Sequence, residues 1–441
     1  MRNFYLVPSI LCLCTAFGQA DEKANRNWAQ WRGPLSTGVA PNSNPPTEWS
    51  EKKNVRWKTP LVGKGHSTPI VWDDHIFVTS AVPFGEKFEP RYSGAPGAHD
   101  NLPISQQHQF DVFAYNRNDG KLRWRKTVAK VTPHEGAHYT GTLASQSSAT
   151  DGENIYAFFG SFGLHALDFK GNIQWSRDFG DMNTKHGHGE GASICLYKDT
   201  LIVNWDHEGA SFIAAVNTKD GKDRWNKPRD EVTSWSTPIV VEHEGKPQVI
   251  VSGTSRVRGY DLTTGNAIWE CGGLSHNIVA SPVSSDGMVY AGSSYEIRSL
   301  FAVKLDGARG DITGSDQVVW QRQRGTPYVP SPLLYGESLY FLRHYQGVLT
   351  RVIAKTGEEK DGPFRLSGIT NVYASPVGAA NRVYITDRNG TTMVISHDDS
   401  PKFLARNILD DTLSASIAIA GDEMFIRGER SLYCISEKGT E

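Results

Sequence analysis

Between residues 186 and 191 the chain reads His186-Gly-His188-Gly-Glu190-Gly, and a second polar run, Asn204-Trp-Asp206-His207-Glu208, follows shortly after. Imidazoles and a carboxylate at alternate positions, separated by glycines, can present metal ligands from a flexible loop, with Asp206 or His207 arriving from the next turn. The same glycine spacing fits a close-packed turn. His188 and Glu190 are taken as polar ligand-binding residues, and no metal is expected. Other chemistries leave a weaker trace. No Gly-x-Ser-x-Gly elbow stands between a strand and a helix, and no pair of carboxylates stands out for glycosidic work. Asp151-Gly152, Asp286-Gly287 and Asp306-Gly307 are hairpin dipeptides that turn formation explains. Cys195, Cys271 and Cys434 lack Cys-x-x-Cys spacing and read as buried small hydrophobes.

Short strands must position these side chains. Tryptophan returns at Trp57, Trp124, Trp175, Trp225, Trp269 and Trp320, usually about 44 to 51 residues apart, a period typical of repeat architectures. Each closes a similar phrase, as in Asn116-Arg-Asn-Asp-Gly120-Lys-Leu-Arg-Trp124 and Asp261-Leu-Thr-Thr-Gly265-Asn-Ala-Ile-Trp269. The phrase reads as strand, tight turn with glycine where φ must be positive, then strand. A second phrase keeps the same beat: Thr68-Pro69, Thr237-Pro238, Ser281-Pro282, Ser331-Pro332 and Ser375-Pro376, with degenerate copies near Ser147, Ala192 and Ser414. Proline at the first residue of a strand removes no ladder hydrogen bond, hence its place there. These marks define eight units and an all-β fold, an eight-bladed β-propeller of four-stranded antiparallel blades. The last unit ends at Leu432-Tyr-Cys-Ile435 without its tryptophan, while Asn54-Val-Arg-Trp57 precedes the first. The N-terminal strand is therefore expected to complete the C-terminal blade and close the ring.

On such a ring, residues just ahead of each innermost strand rim the axial funnel. Reading two to four places before each Ser/Thr-Pro step or its equivalent picks out His66, Gln146, Trp235, Tyr328 and Tyr373, most of them able to stack on or hydrogen-bond a planar or sugar-like ligand. Residues 81–109 form one long insertion, rich in Gly, Pro and His. It joins the second and third strands of the first unit and should lie over the same rim as His66, His188, Glu190 and Trp235, as a lid.

The Asp/Asn-x-x-x-Gly-x-x-x-Trp phrase resembles the pyrroloquinoline quinone (PQQ) repeat of quinoprotein dehydrogenases and of the outer-membrane assembly factor BamB, a ring of eight such blades. The resemblance covers essentially all of the chain after residue 20. It is closest to exported PQQ-binding-like β-propeller repeat proteins of planctomycete type, on Trp28-Ala-Gln-Trp31-Arg-Gly-Pro34, Gly65-His-Ser-Thr-Pro69, Ser234-Trp-Ser-Thr-Pro238 and Gly325-Thr-Pro-Tyr-Val-Pro-Ser-Pro332. It implies that each tryptophan wedges between neighbouring blades, its N–H meeting a backbone carbonyl. Quinoproteins of this fold carry PQQ with calcium, a disulfide between adjacent cysteines and an aspartate base. No adjacent cysteine pair occurs after residue 20.

With 46 basic and 48 acidic residues among 441, the net charge of −2 offers no global attraction to nucleic acid. Residues 1–20 read as a cleaved signal peptide, Arg2 followed by an apolar stretch too short to span a membrane and then Gly18-Gln-Ala20. Residues 21–53 form an N-terminal arm anchored by Trp28 and Trp31, and 54–441 the propeller. The expectation is a periplasmic or secreted monomer, a non-catalytic binding or scaffold protein that holds a protein partner or a small-molecule or sugar ligand on one face and in the funnel, without a cofactor. The alternative is a PQQ-dependent dehydrogenase, or another axial-site enzyme acting on a sugar or alcohol.

Overall fold

The computed structural model describes residues 23–343 and 346–437; the proposed signal peptide lies outside them. Eight antiparallel sheets of four strands follow one another around a ring. The first blade is typical: Ile70–Trp72, His75–Phe84, Gln107–Asn116 and Leu122–Val131 pair in chain order. The eighth takes Ala418–Ala420, Glu423–Arg427 and Ser431–Ile435 from the C-terminal end, and Val55–Pro60 as its outer strand, with Trp57 opposite Cys434. The ring is closed as the orphan tryptophan phrase predicts. The fourth blade carries an extra strand, Gly310–Asp311, parallel to Trp269 and Glu270.

Short first strands of successive blades touch one another and so surround the axis. A belt of hydroxyls joins them. The Thr68 amide donates to Ser147 Oγ, Ser147 to Ser193, Ser193 to Thr237, Thr237 to Ser281, Ser281 to Ser331, Ser331 to Ser375 and Ser375 to Ser416, each at 2.8–3.0 Å. The recurring Ser/Thr thus satisfies an amide that no sheet ladder reaches, and the proline after it stands one residue ahead of the strand rather than in it, as before Ile70, Ile239, Val283, Leu333 and Val377, where no ladder donor is needed.

The tryptophans lock the outer circumference. Trp57, Trp124, Trp175, Trp225 and Trp320 each donate their indole N–H to a carbonyl of the next blade, at 2.7–2.9 Å. Each also lies on the next blade's turn glycine. A Cβ on Gly265 would sit 2.5 Å from the Trp225 ring, and Gly265 holds φ +69°, so the position has two independent reasons to be glycine. Trp269 departs from the pattern. It donates to Gln248 within its own blade, where the extra strand Gly310–Asp311 runs alongside it. Apolar clusters straddle neighbouring blades, such as Tyr156, Phe158, Leu201 and Trp205. Cys195, Cys271 and Cys434 are free and buried in three different blades, and burial raises all three thiols to about 11 or 12.

The N-terminal arm crosses the ring. Trp28 exchanges backbone hydrogen bonds with Val71, and Ala29 accepts from Thr150. Gln30 accepts from the Leu196 amide, while Arg32 reaches over the axis to the carbonyls of Pro332 and Pro376. The arm therefore floors the axial channel.

Candidate functional site

Above that floor lies a cavity of about 400 Å3, lined by residues from all eight blades, by Trp31 from the arm, and by His99 and Asp100 from the insertion. Its wall is built from the segments that lead into the innermost strands. Backbone there is extended, so side chains alternate between the cavity and the inter-blade space. The belt hydroxyl points inward, and so does the residue two before it: His66 before Thr68, Trp235 before Thr237, Tyr373 before Ser375.

Of the residues picked out from sequence, His66, His188, Glu190, Trp235, Tyr328 and Tyr373 line this one cavity. Gln146 does not. It stands one place before Ser147, so alternation turns it into the wall, where it is 2% exposed, and Ser145 takes the cavity position. The supposed helpers of the His186–Glu190 loop are also engaged elsewhere. Asp206 accepts from Arg229 at 2.7 and 3.0 Å and from Ser234, and His207 Nδ1 accepts the Asn183 amide.

The insertion lies over the rim, as its place between second and third strands predicts, although the strands of that hairpin extend to Phe84 and Gln107 and leave a shorter loop. Its short strand Asn101–Leu102 pairs with Ala137–His138. Asn101 Nδ2 donates to the His186 carbonyl at 2.7 Å, and the His138 amide to the His188 carbonyl at 2.9 Å. Three loops from the first three blades are thereby sewn into a partial roof. His99, His138 and Trp31 were not legible as site residues; the His content of the insertion and the Trp pair of the arm were the available signals.

Glu190 supplies a carboxylate to the cup wall. Its Oε2 accepts the Ser161 amide at 2.9 Å and its Oε1 the Ser161 hydroxyl at 2.5 Å. The carboxylate is cradled against Gly160, where a Cβ would stand 1.4 Å from Oε2. Part of its surface faces the cavity, yet burial of the carboxyl against the wall pushes it up to about 7 in spite of the Ser161 hydrogen bonds. A carboxyl with that proton affinity can give or take a proton near neutrality. His66 is driven down to about 3 by burial and by Arg427, Arg388 and Lys64. Burial, with the neighbouring His138, His99 and His186, brings His188 down to about 4. Both imidazoles are neutral at pH 7, and each has a buried Nε2 with no hydrogen-bond partner. Aromatic planes complete the lining: Tyr328 stacks on Tyr295 at 5.8 Å, and Trp235 fixes its ring by donating to the Gly189 carbonyl at 2.7 Å.

Comparison with known proteins agrees with this architecture. A family profile described as "Outer membrane protein assembly factor BamB" matches residues 47–192, 109–361 and 209–439. BamB from Moraxella catarrhalis superposes with a TM-score of 0.51 at 13% identity, over 81% of this chain and 98% of that one. A quinohemoprotein alcohol dehydrogenase from Pseudomonas putida gives 0.61 at 11% identity, over 96% and 82%. A europium-containing methanol dehydrogenase gives 0.52 at 13%, over 85% and 90%. At these identities the likeness is one of fold. No curated protein sequence matches the chain.

Proposed function

This chain belongs to the BamB-type family of outer membrane assembly factors, and on that premise we propose that it is an exported binding protein whose axial cup holds a small polar, ring-shaped ligand of the sugar class. The observation that carries the reading is the cup itself: about 400 Å3, floored by Trp31, partly roofed by the insertion, and walled by a belt of hydroxyls with aromatic planes set among them. Small-molecule sites occupy about 300–1,000 Å3 and combine apolar or aromatic surface with a few placed polar groups. Sugar rings present C–H faces that pack on Trp235, Tyr328 or Tyr373, and hydroxyl edges that exchange hydrogen bonds with Ser and Thr. Export, to the periplasm or medium after cleavage beyond Ala20, is part of the proposal. Among the described residues no helix is long and apolar enough to cross a membrane.

The quinoprotein alternative fits this cup poorly. Pyrroloquinoline quinone is a tricarboxylate, and Lys185 is the one Lys or Arg among the lining residues. Calcium takes about six to eight oxygen ligands, mostly carboxylates and carbonyls. The lining carboxylates are Asp100, exposed at the rim, and Glu190, which holds its proton up to about 7. The three described cysteines lie in separate blades.

Titration of the untagged protein with a panel of mono- and disaccharides, read by calorimetry and thermal shift, tests the proposal. We expect saturable binding by at least one sugar, weakened about tenfold or more in Trp235→Ala, which corresponds to about 1.4 kcal/mol. No binding by any sugar of the panel, or unchanged affinity in that variant, overturns it.

A further inference from the structure

Where the three loops meet at the roof, three imidazoles form a nearly equilateral triangle. Ring centres of His99 and His186 are 5.0 Å apart, of His99 and His188 4.8 Å, and of His186 and His188 5.4 Å. We propose that His99, His186 and His188 bind one divalent transition-metal ion of the imidazole-preferring class, such as zinc, copper or nickel, and so latch the insertion onto the ring. Three imidazoles on a tetrahedral ion, each nitrogen about 2.0–2.1 Å from it, place their ring centres about 5 Å apart. The observed triangle has that size.

Protonation favours the same reading. His99 Nδ1 lies 2.8 Å from the Gly97 carbonyl oxygen and His186 Nδ1 3.1 Å from that of Pro96. A carbonyl only accepts, so in the neutral rings both Nδ1 atoms carry the proton and both Nε2 atoms keep a lone pair. Anchoring one ring nitrogen on a carbonyl is how metal-bound histidines are commonly oriented. His188 contributes a buried Nε2 without a hydrogen-bond partner. His138 packs 4.8 Å from His188 but is of another kind: the Thr140 amide donates to its Nδ1, which leaves the proton on Nε2 and makes that atom a donor. His186 holds φ +58°, a conformation that residues with a Cβ adopt mostly where the surroundings impose it.

The ligand atoms of the three rings do not all lie within 4.8 Å of one another, so coordination must draw the rings inward by a small movement of the two loops that carry them. Asp100, beside His99 in the cup lining, water or a ligand atom would take the fourth position. The inference goes beyond sugar binding and does not rest on it.

The test uses the untagged full chain stripped with a chelator, titrated with Zn2+ by calorimetry and with Co2+ by visible absorption. One ion per chain is expected, with the intense absorption of four-coordinate cobalt, displaced by zinc. His99→Ala and His188→Ala should each weaken binding by more than about 100-fold, since even outer-shell changes cost about 10–100-fold. His99 is exposed on the insertion, so its variant keeps the blades intact. His243→Ala, which alters the trio of half-buried His243 with exposed Glu244 and Asp306, should change nothing. Absence of stoichiometric binding, full binding in both His99→Ala and His188→Ala, or loss of binding in His243→Ala overturns the proposal. Sugar binding is measured with and without chelator, so either reading can fail alone.

Discussion

Replacing Glu190 by glutamine reports on the polarity of the cup wall around it. In the folded protein the Glu190 carboxyl is pushed from its ordinary 4.5 up to about 7, chiefly by burial. Between those values the folded state holds a proton that the unfolded chain has released. Linkage then requires that stability falls as pH rises through this window. Each pH unit is worth about 1.4 kcal/mol, so keeping the group ionised costs about 3 kcal/mol above pH 7 and nothing below pH 4.5. Glutamine is nearly isosteric, its oxygen can still accept from the Ser161 amide, and it never ionises. Urea unfolding of wild type and Glu190→Gln at several pH values from about 4.5 to 8.5 isolates the term, because the other titrating groups cancel in the difference. The variant should be matched with wild type at the acid end and gain progressively, by up to about 3 kcal/mol, towards pH 8. A difference that is flat with pH, or that grows towards acid, would refute the reasoning. Gly160→Ala should unfold the same corner at every pH, since its Cβ would stand 1.4 Å from Oε2.

Trp225→Ala removes an indole that is 7% exposed and should cost about 3–5 kcal/mol by denaturant unfolding. In the same assay Gly265→Ala should cost about 2–4 kcal/mol in wild type, but only the backbone strain of about 1 kcal/mol once Trp225 is gone; equal costs in both backgrounds would mean that φ alone demands glycine. Deleting residues 21–60 removes the closing strand Val55–Pro60 together with the floor and should abolish cooperative unfolding; a truncated chain that melts like the parent would refute closure. Arg32→Ala strips donors from the carbonyls of Thr37, Pro332 and Pro376 and should cost about 2 kcal/mol or more, with the arm becoming susceptible to limited proteolysis.

The repeat was legible because each of its parts is a local solution to a problem every blade shares. A turn glycine seats the neighbour's tryptophan, a Ser or Thr supplies the belt hydroxyl, and the proline after it directly precedes a strand. Period alone therefore determined the blade count, and the orphan phrase around Trp57 determined how the ring closes. The inward register of the cup was only bracketed, to two to four places before each step: His66, Trp235 and Tyr373 fall two places before the belt hydroxyl, whereas Tyr328 reaches the cup from three places before Ser331. Gln146 fell one place off that offset, and in an extended segment one place reverses the side chain.

Tertiary structure decided what no single unit contains. His99 meets His186 and His188 only because the insertion of the first blade folds over the loop of the third, and Trp31 becomes a floor only because the arm is drawn across the axis by Arg32. Asp206 looked available to a metal until Arg229, from the strand-end beyond, paired with it. Contacts between adjacent repeats are written in a recurring pattern, whereas contacts made once across the ring depend on closure geometry and loop length, and leave no period to read.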